Sequence, residues 1–352
     1  MIGVTTQYGP WTMCSLPIEG TGKELSSAPF TLPSIGSLQM AQDRYHVPVL
    51  EREIVEFFSG LPAGVVVDAT LGGGGHAAAI LAAAPQLRLL GVDRDRDARA
   101  AAQVRLAEFA PRVLIVDATF ADLDRVVLEQ VQFLGSEPIV GVLMDLGVSS
   151  HQLDESSRGF SFRVDAPLDM RMDISRGETA AQFLARVDEG ELTLLLRDNG
   201  EGRFARAIAR SILAARPTST QALSEAVERA VPPAARRRGN VATRVFQALR
   251  IAVNEEEHQL DQGLHAALDI LAVGGVLAVI SYHSGEDRTV KAALHEAETG
   301  GCHCPVELGC VCGAVHRYKV VKASAILASA EEILRNPRAR SARLRAAHRV
   351  LA

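Results

Sequence analysis

The chain has 352 residues, of which 47% are hydrophobic and 22% are charged. This composition is typical of a folded protein with a large apolar core, in one large domain or two ordinary ones. The formal net charge of -5 excludes a protein that binds polyanions over its whole surface, although a local basic patch can still bind them. No apolar run reaches the roughly 18–20 residues of a membrane span.

Residues 1–43 are rich in Gly, Pro, Ser and Thr and carry few charges. They lack both a basic segment followed by an apolar run and an Arg-rich amphipathic pattern, so they do not resemble a targeting peptide. We expect a disordered extension, with Met40 as an alternative translation start. Four of the five cysteines are clustered, which suits a reducing compartment and predicts a cytoplasmic protein.

Strand and helix patterns alternate from residue 64 onwards. Apolar runs at 64–68, 87–95, 112–120 and 139–147 predict strands, and the first two gaps between them read as helices at 76–84 and 98–110. Parallel strands need such crossover connections, so the pattern predicts a parallel sheet covered by helices.

The alternation stops after residue 150, where helical stretches dominate and no strand pattern occurs until about 240. It resumes with a long predicted helix at 242–272 and a strand at 274–283. The simplest organisation is an α/β domain formed by residues 44–150 and 241–352. An all-helical insert at 151–240 interrupts it.

A glycine-rich turn, "DATLGGGGH" (68–76), lies between the first strand and the first helix. Such a turn lets backbone N–H groups and a helix N-terminus face a ligand at close range. Asp93 ends the second strand, where an acid hydrogen-bonds a ribose diol. No Lys-Ser or Lys-Thr follows the glycines, which excludes a Walker loop. NAD and S-adenosylmethionine both remain open, but Asp68 favours the second because a carboxylate there would repel a pyrophosphate.

Eight motifs occur in one order, and together they resemble the bacterial MraW family, which methylates N4 of a cytidine in 16S ribosomal RNA. The resemblance covers residues 44–349. The motifs are "HVPVL" (46–50), "DATLGGGGH" (68–76), "GVDRD" (91–95), "MDLGVSSHQLD" (144–154), "RGFSFRVDAPLDMRMD" (158–173), "ATRVFQALRIAVN" (242–254), "SYHSGEDRTVK" (281–291) and "NPRARSARLR" (336–345).

The resemblance implies a Rossmann-like class I S-adenosylmethionine-dependent methyltransferase whose helical insert helps to hold RNA. It implies the small ribosomal subunit as partner, without specifying naked RNA, an assembling subunit or a finished one. The oligomeric state, a homodimer included, is not specified. Gly72 and Gly73 are expected to shape the turn. Cofactor contacts are expected from Gly74, Gly75, His76, Asp93, Phe120, Asp145 and Gln152.

Asp145, at the end of the fourth strand, is the candidate acceptor for a proton of the target amine, because an exocyclic amine is a poor nucleophile. A turn-ordering or cofactor-binding role is equally open. Its motif lacks the Pro-Pro-aromatic sequence of many amino-methyltransferases, so the amine target is implied only by the resemblance. His283 is a second candidate, as a base contact or a structural residue. Methylation at carbon 5 needs a cysteine nucleophile, and Cys304 lies far along the sequence from these strand ends.

Two Arg-dense stretches predict phosphate contacts: residues 236–240, with Arg236, Arg237 and Arg238, and residues 335–345, with Arg338 and Arg340. On the long helix, a polar stripe that includes Arg244 and Asn254 predicts substrate contact. A solvated surface is the alternative in each case.

Two Cys-x-Cys pairs, Cys302 with Cys304 and Cys310 with Cys312, resemble a zinc knuckle in residue content, although each pair is more tightly spaced than usual. Structural zinc or reduced thiols are both open. At the level of function, the alternatives to a methyltransferase are a dinucleotide-dependent oxidoreductase and a non-catalytic RNA-binding assembly factor.

Overall fold

The computed structural model describes residues 48–147, 156–233, 241–305 and 310–351. The predicted extension at 1–43 lies outside them. Within these ranges the elements are α1 (Glu51–Ser59), β1 (Gly64–Asp68), α2 (Gly75–Ala83), β2 (Leu87–Asp93), α3 (Arg96–Arg105), β3 (Val113–Asp117), α4 (Leu123–Glu129), α5 (Val131–Leu134), β4 (Ile139–Asp145), α6 (Ala180–Arg186), α7 (Glu189–Asp198), α8 (Ala205–Ala215), α9 (Thr220–Ala230), α10 (Val241–Val253), α11 (Glu256–Ile270), β5 (Val276–Ser281), α12 (Ser284–Thr299), β6 (Tyr318–Val320), β7 (Ile326–Leu327), α13 (Ala330–Arg335) and β8 (Arg343–Arg349).

The strands form one sheet in the order β3-β2-β1-β4-β5-β8-β6, with β7 also paired to β8. The neighbours from β3 to β5 are parallel, and β8 runs antiparallel to β5. The predicted parallel sheet is therefore confirmed, whereas β6, β7 and β8 were not predicted. The chain leaves β1 towards β2 on one side and reaches β4 on the other. A cleft opens at the carboxyl ends of strands where the order reverses in this way.

Central strands β1, β4 and β5 form the core because both faces of the sheet are covered. Every residue of β1 and β5 is buried. Alternate side chains enter different clusters, with Val65 and Val67 on one face and Val66 on the other. Burial on both faces explains why these strands read as continuous apolar runs.

The insert has an apolar core of its own, and the described part of it, 156–233, contains helices but no strand. Val245, Phe246 and Leu249 of α10 belong to that core. The insert's packing therefore continues past the predicted boundary at residue 240. The long helix predicted at 242–272 is in fact two helices, α10 and α11, because Glu255 between them adopts a left-handed conformation with φ 51°.

The second Arg-dense stretch is partly structural. Arg345 lies on β8, is buried, and donates from Nε to Oδ1 of Asp287 at 2.7 Å. Arg343 also lies within 3.4 Å of that carboxylate. These two residues therefore hold β8 against α12, which corrects part of the prediction that residues 335–345 supply phosphate contacts. Within the described ranges, no helix combines the length and apolar character needed to cross a bilayer.

Candidate active site

A cleft of about 950 Å³, open to solvent, lies at the carboxyl ends of β1, β2 and β4. Five of the predicted cofactor residues line it, namely Gly75, His76, Asp93, Phe120 and Asp145. Gln152, the seventh, lies outside the described residues. The sheet topology explains the convergence, because parallel strands bring their carboxyl ends to one edge.

The glycine turn forms the floor of the cleft. Gly72 and Gly73 line it, and the N–H of Gly72 donates to Oδ2 of Asp93 at 2.7 Å. Gly72 has φ 52°, a left-handed conformation that glycine adopts without steric penalty. These two glycines thus contribute more than the shape of the turn, since their backbone faces the ligand space.

Gly74 faces protein rather than the cleft. It has φ 74°, immediately precedes α2, and is not among the residues that line the cleft. A Cβ there would lie 3.3 Å from Cβ of Ala102 and 3.3 Å from Leu106. Its small size is therefore explained by packing against α3. This packing gives Gly74 a structural role, and its contact with the cofactor stays a prediction.

Asp93 is held with both carboxylate oxygens engaged. Oδ2 accepts from Gly72, and Oδ1 accepts the N–H of Asp95 at 2.8 Å. Burial raises the pKa of Asp93, against the effect of these two N–H donors. Asp95 in turn caps α3 by accepting from the N–H of Asp97. The glycine turn thereby fixes Asp93 at the cleft, and the carboxylate of Asp93 in return stabilises the turn.

Asp145 ends β4 with its carboxylate in the cleft. The hydroxyl of Tyr282 donates to its Oδ1 at 2.8 Å, and its own N–H donates to Oγ1 of Thr70 at 2.5 Å. Burial, followed by the charge of Asp145, holds the pKa of Tyr282 well above its ordinary value. Sequence reasoning missed Tyr282, although it stands beside His283 in the quoted motif "SYHSGEDRTVK".

His76 is buried beside Asp145. Its Nε2 lies 2.9 Å from the carbonyl oxygen of Val49, and its Nδ1 lies 3.7 Å from Oδ2 of Asp145. The second position of α2 carries this ring, so the glycine turn sets where the imidazole sits. His76 thus links the segment before α1 to the end of β4.

Asp68 is buried behind the cleft and does not line it. Burial raises its pKa to about 8, with the Asp145 and Asp93 carboxylates adding to the effect. Near neutral pH the carboxyl group is therefore mostly protonated. This corrects the sequence argument, in which the charge of Asp68 discriminated against a pyrophosphate; Asp93 and Asp145 provide the carboxylates that line the cleft.

Because the pKa of Asp68 is raised, we expect Asp68→Asn to stabilise the folded protein by an amount that depends on pH. The folded-state pKa of about 8 exceeds the ordinary aspartate pKa of 3.8, so folding takes up a proton and the free energy of unfolding decreases as pH rises between these values. Asn keeps the oxygen that accepts from Thr70. We expect the variant to be more stable than the wild type by several kcal/mol at pH 9, with the difference vanishing towards pH 4.

Urea denaturation at several pH values measures this difference. The control is Asp97→Asn on the exposed first turn of α3, for which we expect no such trend. An Asp68→Asn variant whose stability parallels that of the wild type at all pH values would contradict the prediction.

Phe120 separates the cleft from a second cavity of about 510 Å³. Thr70, Leu146 and Gly147 also line both spaces. A Cβ on Gly263 of α11 would lie 2.5 Å from Cδ2 of Phe120, so this glycine leaves room for the ring. Gly263 was also missed, because a single glycine within a helical pattern gives no signal of what packs against it.

His283 lines the second cavity and caps α12. Its Nδ1 accepts the N–H of Glu286 at 3.3 Å, while Oε2 of Glu286 accepts the N–H groups of Tyr282 and His283. Its Nε2 lies 3.0 Å from Oε1 of Glu286, without the geometry of a hydrogen bond. The structure thus gives His283 a structural role, and its contact with a base stays a prediction.

Arg244 and Asn254 use their polar groups within the protein. Arg244 pairs with the buried carboxylate of Glu201, with Nη2 2.5 Å from Oε2. Asn254 is buried, accepts from the N–H of Met172 and donates to the carbonyl of Met170, both at 2.8 Å. These partners correct the prediction of substrate contact for the buried Asn254, whereas substrate contact by the partly exposed Arg244 stays a prediction. Asn254 instead positions Met172, which lines the cleft.

The remaining predicted RNA contacts are only partly described. Arg236, Arg237 and Arg238 lie outside the described residues. Arg340 is exposed and Arg338 half-buried, and both belong to a short 3₁₀ turn, Pro337–Ser341, before β8. Their role in binding phosphate stays a prediction.

The four clustered cysteines converge. The Sγ atoms of Cys302, Cys304, Cys310 and Cys312 all lie within 4.8 Å of one another, and those of Cys302 and Cys310 are 3.5 Å apart. The cluster follows α12, whose N-terminus lies at the end of β5 near the cleft. Since α12 has 16 residues and spans about 24 Å, its other end carries the cysteines towards the opposite edge of the sheet.

Comparison with known proteins identifies the family. Residues 43–350 match the model described as the MraW methylase family. A "Ribosomal RNA small subunit methyltransferase H" from Geobacter sp. (strain M21) is 46% identical over 316 residues, covering 88% of this chain and 100% of that protein. A protein of the same name from Heliobacterium modesticaldum is 46% identical over 314 residues, with 87% and 99% covered.

Solved structures resemble the chain more loosely. An rRNA methylase from Streptococcus thermophilus aligns over 92% of this chain and 99% of that chain with a TM-score of 0.37 and 13% identity. A superposition with this low a TM-score does not by itself assign a fold or a function. The sheet order and the cleft at its carboxyl edge are those of a class I S-adenosylmethionine-dependent methyltransferase fold. By its sequence, this chain belongs to the MraW methylase family and is a methyltransferase.

Proposed function

We propose that the protein transfers the methyl group of S-adenosylmethionine to N4 of a cytidine in 16S ribosomal RNA of the small subunit, in the decoding region. The observation that carries this proposal is the meeting of three features in one cleft: the glycine turn, Asp93, and Asp145 with its Tyr282 partner. The family and the names of its curated relatives support the RNA substrate.

The residues of the cleft fit S-adenosylmethionine. Asp93 and Asp145 line it, and Arg94 is the one Arg or Lys that lines it among the described residues. This balance suits a ligand with an ammonium and a sulfonium and is unfavourable for a pyrophosphate. Asp93 would accept from the ribose hydroxyls, the glycine turn would approach the methionine portion, and Phe120 would contact the adenine. When bound, the cofactor supplies an electrophilic methyl group.

Asp145 is positioned to assist the amine. Its Oδ1 is already taken by the hydroxyl of Tyr282, which leaves Oδ2 to accept from an N–H of the substrate. An acceptor at that point stabilises the positive charge that develops on the nitrogen as it is methylated. The carboxylate thus serves both orientation and proton removal.

The second cavity is the proposed site for the target base. It adjoins the cleft at Phe120, Leu146 and Gly147, which line both spaces, and Ile251 and Leu260 add to its apolar walls. Apolar walls of this kind would pack against a pyrimidine that has left its base stack, as enzymes that modify a base must extrude it or act on a single strand. The carboxylates of Glu256 and Glu257 also line the cavity and would repel a phosphate.

Mass mapping of the methylated nucleotide tests the proposed function. Small-subunit particles from a strain that lacks the gene would be incubated with the protein and labelled S-adenosylmethionine. We expect one labelled cytidine in 16S RNA, with the mass shift on the base. Absence of label on RNA, despite calorimetric binding of S-adenosylmethionine, would favour a non-catalytic assembly factor. Binding of NAD instead would favour an oxidoreductase, for which the family gives no support.

RNA would approach through the Arg-rich segments. We propose that Arg236, Arg237, Arg238, Arg338 and Arg340 contact phosphates, since such contacts position RNA without reading its sequence. We place the reaction in the cytoplasm, where the ribosomal subunit is found, and sedimentation of the purified protein would decide between a monomer and a homodimer.

We further propose that the four cysteines bind a structural zinc ion. In a tetrahedral site with Zn–S bonds of about 2.3 Å, the sulfur atoms lie about 3.8 Å apart. The Sγ separations of 3.5 Å (Cys302–Cys310) and 3.6 Å (Cys310–Cys312) are close to that value. The cluster is remote from the cleft, so the metal would hold the segment between α12 and β6 and take no part in methyl transfer.

Elemental analysis of the purified protein should find one zinc per chain. Cys310→Ser is expected to lose the metal and to lower the melting temperature, because zinc binding contributes directly to folding. The control is Cys14→Ser, which changes the remaining cysteine and should retain the metal. A metal-free wild-type protein whose melting temperature does not change on addition of zinc would contradict the proposal.

A further inference from the structure

The hydrogen bonding of His76 assigns the protons on its ring. Nε2 lies 2.9 Å from the carbonyl oxygen of Val49. A carbonyl group only accepts hydrogen bonds, so Nε2 carries a hydrogen, and in the neutral imidazole Nδ1 presents a lone pair. That lone pair lies 3.7 Å from Oδ2 of Asp145.

Asp145 is fixed from its other side by Tyr282, whose hydroxyl donates to Oδ1 at 2.8 Å. Oδ2 of Asp145 and Nδ1 of His76 are therefore two acceptors that face each other, and His76 is buried. At 3.7 Å the two atoms are too far apart for a hydrogen bond, but a small approach would let a proton on either atom form a charge-assisted imidazolium–carboxylate hydrogen bond. No proton of the described protein is directed into this gap.

We propose that His76 is the final acceptor of the proton that methyl transfer releases, receiving it through Asp145. This inference rests on the proposed function above. The amine lone pair forms the N–C bond to the methyl carbon, and the C–S bond breaks with its electrons going to sulfur. The N–H proton passes to Oδ2 of Asp145 and then to Nδ1 of His76. A methylated amine, a neutral thioether and an imidazolium–carboxylate pair result, with no further reactant.

Charged and titratable groups approach His76 from several elements. Asp145 faces it from the end of β4 and Asp93 ends β2, whereas Asp68 at the end of β1 is mostly protonated near neutral pH. Two cations lie near this turn: Arg94 lines the same cleft, and Nη1 of Arg105 on α3 would lie 3.1 Å from a Cβ on Gly75. Glu332 of α13 accepts from the N–H of Leu50 on the segment that holds the ring. Of these groups, Asp145 is the one whose carboxylate lies 3.7 Å from Nδ1 of His76.

His76→Gln is the test, because the Gln side-chain amide can still donate to Val49 but presents no basic lone pair to Asp145. Single-turnover methyl transfer to small-subunit particles would be measured at saturating S-adenosylmethionine between pH 5.5 and 9, pH values that span the imidazole titration. We expect the wild-type rate to rise with pH over part of this range. The variant should be about 100-fold slower without that rise, while its calorimetric affinity for S-adenosylmethionine stays within about threefold.

His76→Ala with added imidazole provides a second measurement. We expect imidazole to restore part of the rate in this variant and to leave His76→Gln unchanged. A His76→Gln variant with the wild-type rate and pH profile would overturn the proton route, as would one whose only defect is weaker S-adenosylmethionine binding. A wild-type protein that transfers no methyl group to RNA would instead overturn the proposed function, and the proton route with it.

Discussion

Replacing Asp145 with Asn should leave S-adenosylmethionine bound and slow methyl transfer by about 10²–10⁴-fold. Asn has the same shape, so its Oδ1 still accepts from the hydroxyl of Tyr282 and its backbone N–H still reaches Thr70. It cannot take up a proton from the amine, and its NH₂ group would point at the substrate where an acceptor is needed. Single-turnover rates at saturating cofactor measure the effect on methyl transfer, and calorimetry measures the effect on cofactor binding.

Tyr282→Phe is the matched control for Asp145→Asn. It keeps the carboxylate and removes only the donor that orients Oδ1. The loss of one hydrogen bond to a charged group predicts a decrease of roughly 10- to 100-fold, smaller than that of Asp145→Asn. If Asp145→Asn transferred methyl groups at the wild-type rate, the carboxylate would have only a structural role at the end of β4.

Replacing Asp93 with Ala is expected to weaken S-adenosylmethionine binding by at least 100-fold. The carboxylate accepts from Gly72 and Asp95 and so holds the glycine turn as well as facing the ribose. Hydrogen bonds to a charged group contribute about 1.5–3 kcal/mol each, and the variant loses both the ribose contact and the support of the turn. Titration calorimetry measures the change, and a thermal melt reports whether the fold persists.

Asp117→Ala is the comparison for Asp93→Ala. Asp117 ends the neighbouring strand β3, directly opposite Asp93 in the register of the sheet, but it pairs with Arg99 and does not line the cleft. We expect its cofactor affinity to match that of the wild type. If both substitutions weakened cofactor binding equally, loss of either carboxylate at this sheet edge would have the same effect, and Asp93 would have no specific role.

The strands from β1 to β5 were predictable because each is a short apolar run, and β1, β4 and β5 are buried on both faces of a parallel sheet, where such runs read directly from the sequence. β3 is less buried because it lies at the edge of the sheet. β6, β7 and β8 were not predicted. β8 carries Arg343 and Arg345 among its apolar residues, and only the pairing with Asp287 of α12 makes an arginine acceptable there.

The sequence by itself also determined which residue types end the strands, and hence that a glycine turn, Asp93 and Asp145 meet at one sheet edge. Tertiary structure decided what each side chain does there. Gly74 packs against α3, Asp68 is buried and carries a raised pKa, and Asn254 holds Met172 rather than RNA. The burial of a side chain and its hydrogen-bond partners depend on residues distant in the chain, such as Tyr282 beside Asp145. Local sequence patterns do not predict these long-range contacts.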